Sequence, residues 1–340
     1  MKKTLLEDIA KTLNVSKTLV SMVINGKADV YGISKKTQEK VLAKAAELEY
    51  TPNVFARALR TGKSNTIAIL VSDISNPFYS NIAKYVEKEL AQKGYTLMIC
   101  STDENIEQEE KLISLFAENQ IVDALIVSTA SSNGDFFKRE RLKKTPIVFI
   151  DRYLPDIKTN YVVSNNYQGS YEITDLLINK GCKNILAFNI SPYHISSLTD
   201  RVNGYKDALK KHKIPFKKEN IIDISFNNFE KDVRENLEKI LKNSDSIDAI
   251  YTLNNHIAEA CLNVIHELKF DMEKKHIYFA SFDDISLFNF VNPPIISVAQ
   301  PLEQIGIETA KLALKLIDKK DSESTEFETI VLPTSIILRN

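Results

Sequence analysis

The sequence predicts a small all-α domain followed by a larger α/β body of parallel sheets flanked by helices. Residues 1–50 place apolar side chains at helical spacing and carry little strand signal. From Asn65 onward, short β-branched runs alternate with amphipathic segments, an order typical of parallel strands joined by right-handed helical crossovers. This second stretch is too long for one sheet, so we expect two α/β lobes.

Length and composition indicate a folded protein of a reducing compartment. The 340 residues, 44% hydrophobic and 26% charged, are ordinary for two or three globular domains. No apolar stretch approaches the roughly 18 residues of a membrane span, and no apolar signal region follows Met1. The three cysteines lie far apart in the sequence: Cys100, Cys182 and Cys261. We therefore expect a cytoplasmic location.

The formal net charge of −1 conceals an uneven distribution. Residues 1–64 hold 12 basic and 6 acidic side chains, a net charge of +6, which leaves 32 basic and 39 acidic side chains, a net charge of −7, for residues 65–340. A basic domain on an acidic protein suggests that the first domain contacts a polyanion while the body has another task.

Three short helices are expected in the first domain. Thr4 and Glu7 fit a capping box at the start of the first helix. Ser16 can cap a second helix, which stops near Asn25, and Ser34 can cap a third.

The first two helices have the spacing of a helix-turn-helix, whose second helix enters the DNA major groove. Lys17 can donate to guanine N7 and O6, and Thr18 can bond a base or touch a thymine methyl. Ser21 and Asn25 can reach phosphates, and Met22 lies one turn on from Thr18. Lys17 also fits a solvated charge, and Met22 also fits partial core packing.

In the body, the β-branched runs predict seven strands. They are residues 66–71, 96–100, 124–127, 147–150, 185–188, 249–253 and 277–282. Two lobes built from such strands would leave a cleft at the carboxyl ends of the strands, where open α/β sheets bind ligands.

The segment that joins the helical first domain to the α/β body indicates the protein family. Residues 50–64, Tyr-Thr-Pro-Asn-Val-Phe-Ala-Arg-Ala-Leu-Arg-Thr-Gly-Lys-Ser, resemble the hinge of the LacI/GalR (lactose-repressor) family of bacterial transcription regulators. The resemblance covers essentially the whole chain. It includes Asp8-Ile9-Ala10, Val15-Ser16, Val20-Ser21, Asn25-Gly26, residues 71–78 (Val-Ser-Asp-Ile-Ser-Asn-Pro-Phe), residues 280–284 (Ala-Ser-Phe-Asp-Asp) and Gln300-Pro301.

The resemblance implies a helix-turn-helix DNA-binding domain at 1–52, a hinge helix and linker at 53–64, and an effector-binding and dimerisation domain at 65–340. That last domain would be a two-lobed α/β fold like the periplasmic binding proteins. We expect its first lobe at about 65–162 plus 293–325, and its second lobe at about 163–292 plus 326–340.

The hinge is implied to bind the DNA minor groove. Residues from Asn53 to Arg60 are too few to be stably helical alone, so they would fold on contact with DNA. In the family, a leucine that matches Leu59 wedges into the central base step and bends the DNA, and Arg57 and Arg60 would face phosphates.

Two features of the DNA-binding domain depart from the family pattern. Met22 stands where many relatives have arginine, so the operator is expected to differ from the usual one. The loop 26–34 is a few residues longer than the common turn, which suggests an added backbone contact with DNA.

The family motifs also indicate an effector pocket. They map onto Asn76, Phe78, Asp151, Arg152, Arg201, Asn254, Asp283 and Gln300, and Phe226 is a further candidate. Carboxylates, amides and an arginine bind paired hydroxyl groups, and aromatic faces cover sugar C–H surfaces. Simpler explanations exist for three of them. Asp283 fits a helix cap, Arg201 fits an ion pair with an acid, and Phe226 fits the core.

The resemblance implies no cofactor and no metal, and a small-molecule effector that is a sugar or a sugar phosphate. A nucleobase stacked on Phe78 and Tyr79 is the alternative, which would make the chain a corepressor-type regulator. An enzyme is not expected, since nucleotide-binding, phosphate-loop and nucleophile-elbow motifs are absent from the sequence. A sugar-binding transport protein without DNA function would need an export signal and no basic head. The prediction is therefore a dimeric regulator, more readily a repressor, that binds a pseudopalindromic DNA operator and does not bind membranes.

Overall fold

The computed structural model describes residues 4–50, 63–191, 195–242, 246–319 and 326–339. The chain divides into two compact units, Met1–Ser64 and Asn65–Asn340. Each unit has a hydrophobic core of its own.

In its described residues, 4–50 and 63–64, the first unit contains a bundle of three helices, α1 Leu6–Leu13, α2 Lys17–Ile24 and α3 Lys35–Glu47. Two of its helices begin at the predicted caps. The Ser16 hydroxyl accepts a hydrogen bond from the Leu19 amide at 3.1 Å, and the Ser34 hydroxyl accepts one from the Thr37 amide at 3.3 Å. The bundle closes on Ile9, Ala10, Val20, Val23, Ala28, Val41 and Ala45, which are all buried.

The predicted cap of α1 was wrong by one residue. Helix α1 starts after Leu5, whose amide donates to the Asp8 carboxylate at 2.8 Å, so Glu7 takes no part in the cap. The Thr4 hydroxyl instead donates to the Leu48 carbonyl at 2.9 Å and ties the start of α1 to the end of α3.

The second unit contains two sheets of six strands. Its helices are α4 Pro77–Ala91, α5 Ile106–Glu118, α6 Asn166–Asn179, α7 Ser196–Lys211, α8 Phe229–Lys242, α9 Asn255–Glu267 and α10 Leu302–Asp318. Its strands are β1 Thr66–Val71, β2 Thr96–Ser101, β3 Ala124–Val127, β4 Ile147–Ile150, β5 Asn160–Ser164, β6 Ile185–Ser191, β7 Ile221–Ser225, β8 Ala249–Thr252, β9 Tyr278–Phe282, β10 Ile296–Ala299, β11 Thr329–Leu332 and β12 Ser335–Ile337.

Each sheet forms one lobe. The first lobe has strand order β11-β5-β4-β3-β1-β2, and all its pairings are parallel. The second lobe has order β12-β10-β9-β8-β6-β7. Among these described strands, β12 runs antiparallel to its neighbour and the others pair in parallel. The expected parallel architecture is confirmed.

Helices cover both faces of each sheet, as parallel sheets require. In the first lobe, α4 and α10 bury Ile82 and Ala310 against one face, and α5 buries Ile113 against the other. In the second lobe, α6 and α7 cover one face, whereas α8 and α9 cover the opposite face.

The seven predicted strands are all present, and five further strands were not predicted: β5, β7, β10, β11 and β12. Three of these five, β7, β11 and β12, lie at sheet edges. Strands β11 and β12 have three or four residues each and no fully buried side chain. Short, half-exposed segments show little hydrophobic alternation, so the sequence pattern is weakest there.

The predicted lobe boundaries were wrong at two strands. Strand β10 was placed in the first lobe but pairs with β9 in the second. Strand β11 was placed in the second lobe but pairs with β5 in the first. The chain therefore passes between the lobes three times, between β5 and α6, between β10 and α10, and between β11 and β12. Two of these crossings touch, because the Asn165 amide donates to the Leu332 carbonyl at 2.8 Å.

Candidate functional site

Helix α2 and its C-terminal cap, Asn25, carry five of the nine predicted DNA-binding residues. Lys17, Thr18 and Asn25 are exposed, whereas Ser21 and Met22 are half-buried. The opposite face carries Val20 and Val23, which are buried in the bundle core. The side-chain amide of Asn25 donates to the Ser21 carbonyl at 2.6 Å and to the Ser21 hydroxyl at 3.2 Å. The N-terminal turn of α2, with Lys17 and Thr18, is thus its most accessible part.

The long loop 26–34 is held against α3. Asp29 accepts hydrogen bonds from Lys35 and Gln38 at 2.9 and 2.8 Å, and Ala28 is buried. The tip of the loop leaves Val30 83% exposed, with Tyr31 beside it at 58%. Contact of this tip with DNA stays a prediction.

Four predicted DNA-binding residues lie outside the described residues. They are Asn53, Arg57, Leu59 and Arg60, within residues 51–62. Their assignment continues to rest on the sequence resemblance alone.

All nine predicted effector residues line one cavity between the two lobes. Its empty space is about 760 Å³, which includes open solvent at the mouth. The nine are Asn76, Phe78, Asp151, Arg152, Arg201, Phe226, Asn254, Asp283 and Gln300. Most of them follow the carboxyl ends of strands, where the backbone turns away from the sheet. Their contact with an effector is not shown by this arrangement and stays a prediction.

The cavity also includes polar residues that were not predicted as effector contacts. Among them are Ser72, Asp73, Glu104, Ser197, Asn255 and His256. Ser72 and Asp73 come directly after β1, and Glu104 comes three residues after β2. Position after a parallel strand is a signal that could have identified these three residues.

Asp151 is the polar centre of the first-lobe wall. It follows β4 with a left-handed backbone, φ +63°. Its Oδ2 accepts hydrogen bonds from the Tyr79 hydroxyl at 2.9 Å and from Arg152 Nε at 3.2 Å. The Tyr79 hydroxyl also contacts the Ser128 hydroxyl at 3.1 Å. These partners hold the carboxylate at the cavity surface.

Arg152 has an acceptor for each of its five N–H groups. Nη1 donates to Glu104 at 2.8 Å and to the Thr129 carbonyl at 3.1 Å. Nη2 donates to Glu104 at 2.5 Å and to the Tyr79 hydroxyl at 3.4 Å, and Nε bonds Asp151. Arg152 therefore lines the cavity with its hydrogen bonds committed to protein, which gives it a positioning role toward Asp151 and Glu104.

Arg201 is the corresponding cation of the second-lobe wall, and it is 3% exposed. Its Nε donates to Asn166 Oδ1 at 2.8 Å, and Nη1 donates to the Leu253 carbonyl at 2.7 Å. The guanidinium lies 3.8 Å above the Phe282 ring centre. Within the described part of the chain, Nη2 has no hydrogen-bond partner, so it can donate to a bound molecule.

Asp283 lies beside Arg201, with 3.8 Å between Oδ2 and Nη1. Its Oδ1 accepts from Gln300 at 2.5 Å, and Oδ2 accepts from the Asn255 amide at 3.3 Å. The helix-cap alternative therefore holds in another form, because Asp283 caps α9 and not a helix of its own segment. Burial raises the pKa of this carboxyl, while Arg201 and Gln300 oppose that rise.

Two asparagines combine helix capping with a place in the cavity. Asn76 Oδ1 accepts from the Phe78 amide at 3.0 Å at the start of α4. Asn254 Oδ1 accepts from the Ile257 amide at 2.9 Å at the start of α9. The side-chain nitrogen of Asn255, Nδ2, donates to Asn76 Oδ1 at 3.0 Å, and this hydrogen bond joins the two lobes across the cavity.

The two predicted aromatic residues differ in their surroundings. Phe78 is buried in the first-lobe core, with its ring edge-to-face against Tyr79 at 4.9 Å between centres. Phe226 is half-buried and packs against the second-lobe core. The core alternative for Phe226 is thus compatible with its place in the cavity wall.

Carboxylates, amides and one available arginine edge, with an aromatic side chain alongside, suit a small polar molecule rich in hydroxyl groups. No cluster of three or more metal-ligating side chains occurs among the described residues. None of the helices in the described ranges is long and apolar enough to cross a bilayer.

A helix-turn-helix unit on the same chain as a two-lobed ligand-binding unit defines a class, the ligand-responsive DNA-binding regulators.

Comparison with known proteins gives the family. Residues 5–53 match the model described as "Bacterial regulatory proteins, lacI family". Residues 64–335 match "Periplasmic binding proteins and sugar binding domain of LacI family". The chain belongs to the LacI family of bacterial regulatory proteins. The predicted family and fold class are confirmed, and so is the prediction of a DNA-binding transcription regulator that is not an enzyme.

Relatives match over nearly their full lengths. The chain is 30% identical to the ribose operon repressor of Halalkalibacterium halodurans, over 99% of this chain and 96% of that one. It is 31% identical to the transcriptional regulator DegA of Bacillus subtilis, over 99% and 98%. A crystal structure of the lac repressor dimer bound to operator and an anti-inducer has the same fold, with a TM-score of 0.83, 20% identity and coverage of 99% and 98%.

Proposed function

We propose that this regulator is a cytoplasmic repressor of carbohydrate-utilisation genes, whose affinity for its operator is switched by a sugar bound between the lobes. The observation that carries this proposal is the cavity itself. Asp151, Asp283 and the free edge of Arg201 face one space from both lobes. Carboxylates and a guanidinium edge together bind paired hydroxyl groups. The relative from Halalkalibacterium halodurans is a ribose operon repressor, which agrees with this class of effector.

The cavity geometry favours a sugar over a nucleobase. A base would stack between aromatic rings, and Phe78 and Tyr79 were the predicted rings. The Phe78 and Tyr79 rings meet at an interplanar angle of 77°, and both side chains are buried. Two rings in edge-to-face contact offer no pair of parallel faces to a base.

The active form proposed is a homodimer on a pseudopalindromic operator. Strand β2 lies at the edge of the first sheet and exposes Met98 and Ile99. In the second lobe, Leu287 is 44% and Phe290 86% exposed, both within a short 3₁₀ segment. Exposed apolar side chains of this kind favour burial against a second copy. Sedimentation of the purified protein at micromolar concentration tests the dimer.

Switching then requires that the sugar bind one lobe arrangement better than the other. Closure of the lobes on the sugar would change the spacing of the two hinge segments in a dimer and hence their ability to fold on DNA. Coupling of this kind is typically about 1–3 kcal/mol, or roughly 5- to 150-fold in affinity. The sugar is an inducer if it prefers the arrangement that cannot fold both hinges, and a corepressor otherwise.

Fluorescence anisotropy tests the proposal as a whole. Full-length protein is titrated onto DNA from upstream of its own and neighbouring genes, at two salt concentrations, with and without each member of a sugar and nucleobase panel. Specific binding that weakens steeply with salt and shifts with one sugar is the expected result. Ligand binding without specific DNA binding would contradict the regulatory function.

A single substitution tests the DNA-reading helix. Lys17→Ala is expected to weaken operator binding by about 10-fold or more, since a base contact contributes roughly 1–3 kcal/mol of discrimination. Lys17 is exposed, so the melting temperature should stay unchanged. Anisotropy on operator and on unrelated DNA measures the change.

Lys36→Ala is the matched control, because Lys36 is an equally exposed lysine on α3. Equal losses for both variants, on operator and unrelated DNA alike, would mean that Lys17 contributes only general charge.

A further inference from the structure

The cavity carries an excess of negative charge. Four carboxylates line it, Asp73, Glu104, Asp151 and Asp283, against two arginines, Arg152 and Arg201. With all six ionised, the formal charge is −2. Such a wall repels a phosphate ester and is neutral toward an uncharged sugar.

Glu104 neutralises the arginine that would otherwise attract an anion. Its two carboxylate oxygens accept hydrogen bonds from the two terminal nitrogens of Arg152, Nη1 at 2.8 Å and Nη2 at 2.5 Å. The side chains of Arg152 and Glu104 are 9% and 17% exposed, so water screens this pair little. The bidentate geometry is the one that an arginine also uses for phosphate.

The backbone at Glu104 is held in an unusual conformation. Asp103 and Glu104 both have left-handed φ values, +53° and +54°, which cost roughly 1 kcal/mol or more each for residues with a side chain. The Thr102 and Asp103 amides donate to the Val71 and Ser72 carbonyls at 2.8 Å and fix this turn. The fold thus maintains a strained turn that directs the Glu104 carboxylate to Arg152.

Helix N-termini, the other sites that attract phosphate, are capped at two places on the cavity. At the start of α4, the Asn76 side-chain oxygen accepts a hydrogen bond from the Phe78 backbone amide. At the start of α9, the Asp283 carboxylate accepts a hydrogen bond from the Asn255 backbone amide, and the Asn254 side chain accepts one from the Ile257 backbone amide. These amides are therefore not free to donate to an anion.

We propose that Glu104 is a specificity-determining residue that makes the cavity select an uncharged sugar over its phosphate ester. It does so by occupying both terminal nitrogens of Arg152 and by adding a negative charge to the wall. This inference rests on the proposed sugar-binding function and names the chemical form of the sugar.

Calorimetric titration of the full-length protein tests the inference with matched pairs of ligands. The pairs are D-ribose and D-ribose 5-phosphate, D-glucose and D-glucose 6-phosphate, and D-fructose and D-fructose 1-phosphate. For the pair that the wild-type protein recognises, we expect the phosphate ester to bind at least 10-fold more weakly than the neutral sugar.

Glu104→Gln should shift this ratio by at least 10-fold toward the ester. Glutamine keeps the size of the side chain but leaves Arg152 short of one acceptor and reduces the formal charge of the cavity. Glu104→Asp keeps the carboxylate and should preserve the preference for the neutral sugar. Glu107→Gln, an exposed change in the first turn of α5, is the control and should behave as wild type. Thermal melting checks that each variant is folded.

The outcomes separate the two proposals. Equal or tighter binding of the ester by the wild type, or an unchanged ratio in folded Glu104→Gln, would overturn the role of Glu104 and leave the sugar function intact. Binding of no member of any pair, by wild type or variant, would overturn the sugar function and this inference with it.

Discussion

Replacing Arg201 with alanine is expected to abolish the response to the effector while operator binding persists. Arg201 joins Asn166, the Leu253 carbonyl and Asp283 around the second-lobe wall, and its Nη2 edge is the donor available to a ligand. Removal leaves Asp283 buried without its counter-charge, and such unpaired charges cost several kcal/mol. We expect effector affinity to fall by about 100-fold or more.

Calorimetry with the sugar identified by the anisotropy panel measures that loss, and anisotropy on the operator measures the DNA affinity. Arg201→Lys retains a positive charge but not the planar fork, so it should recover stability better than affinity. Arg234→Ala is the control, since among the described residues Arg234 forms exposed ion pairs with Glu238 and Glu267, away from the cavity. A normal effector response in folded Arg201→Ala would remove Arg201 from the binding site.

Gly204→Ala is expected to destabilise the second unit by about 3 kcal/mol, at the upper end of the usual range for overpacking. A methyl group at this position would lie 2.3 Å from the Tyr167 carbonyl oxygen and 2.8 Å from the Tyr171 amide nitrogen. Both neighbours are backbone atoms of α6, so the helices α6 and α7 must separate. We expect the melting temperature to fall by about 5–10 °C.

Because α7 also carries Arg201 one turn earlier, the separation should weaken effector binding as well. Asn203→Ala provides the control, as Asn203 is the exposed preceding residue of the same helix and its replacement should change stability by less than about 0.5 kcal/mol. Melting curves followed by circular dichroism compare the two variants. Equal melting temperatures would show that α6 and α7 do not pack as closely as described.

Much of the cavity could be predicted from sequence, since strand order predicted a cleft and the family motifs predicted its residues. Asp151 directly follows β4, which is apolar and β-branched, and Asp283 directly follows β9, which is rich in aromatic residues. The carboxyl ends of parallel strands lie at one edge of a sheet. Asn254 follows β8 in the same way. The family motifs predicted these residues, and their positions after strands explain why they line one cavity.

Other features depended on contacts that no local pattern encodes. Arg152 was predicted as an effector contact, but its partner Glu104 lies 48 positions earlier in the chain and on a different loop. The left-handed turn that places Glu104 contains no glycine to mark it. The sheet to which β10 or β11 belongs is likewise decided by which neighbour it pairs with in space, so the predicted lobe boundaries failed there.

The last two strands of the chain complete both sheets late in synthesis of the protein. Strand β11 completes the edge of the first lobe and β12 completes the edge of the second, within nine residues of chain from Thr329 to Ile337. On the ribosome, neither lobe has its full sheet until this segment has been made, although the DNA-reading helices emerge first. A chain that stops before this segment would carry the DNA-binding helices but would leave one edge of β5 and one edge of β10 unpaired. Unpaired strand edges favour pairing with other chains and hence aggregation.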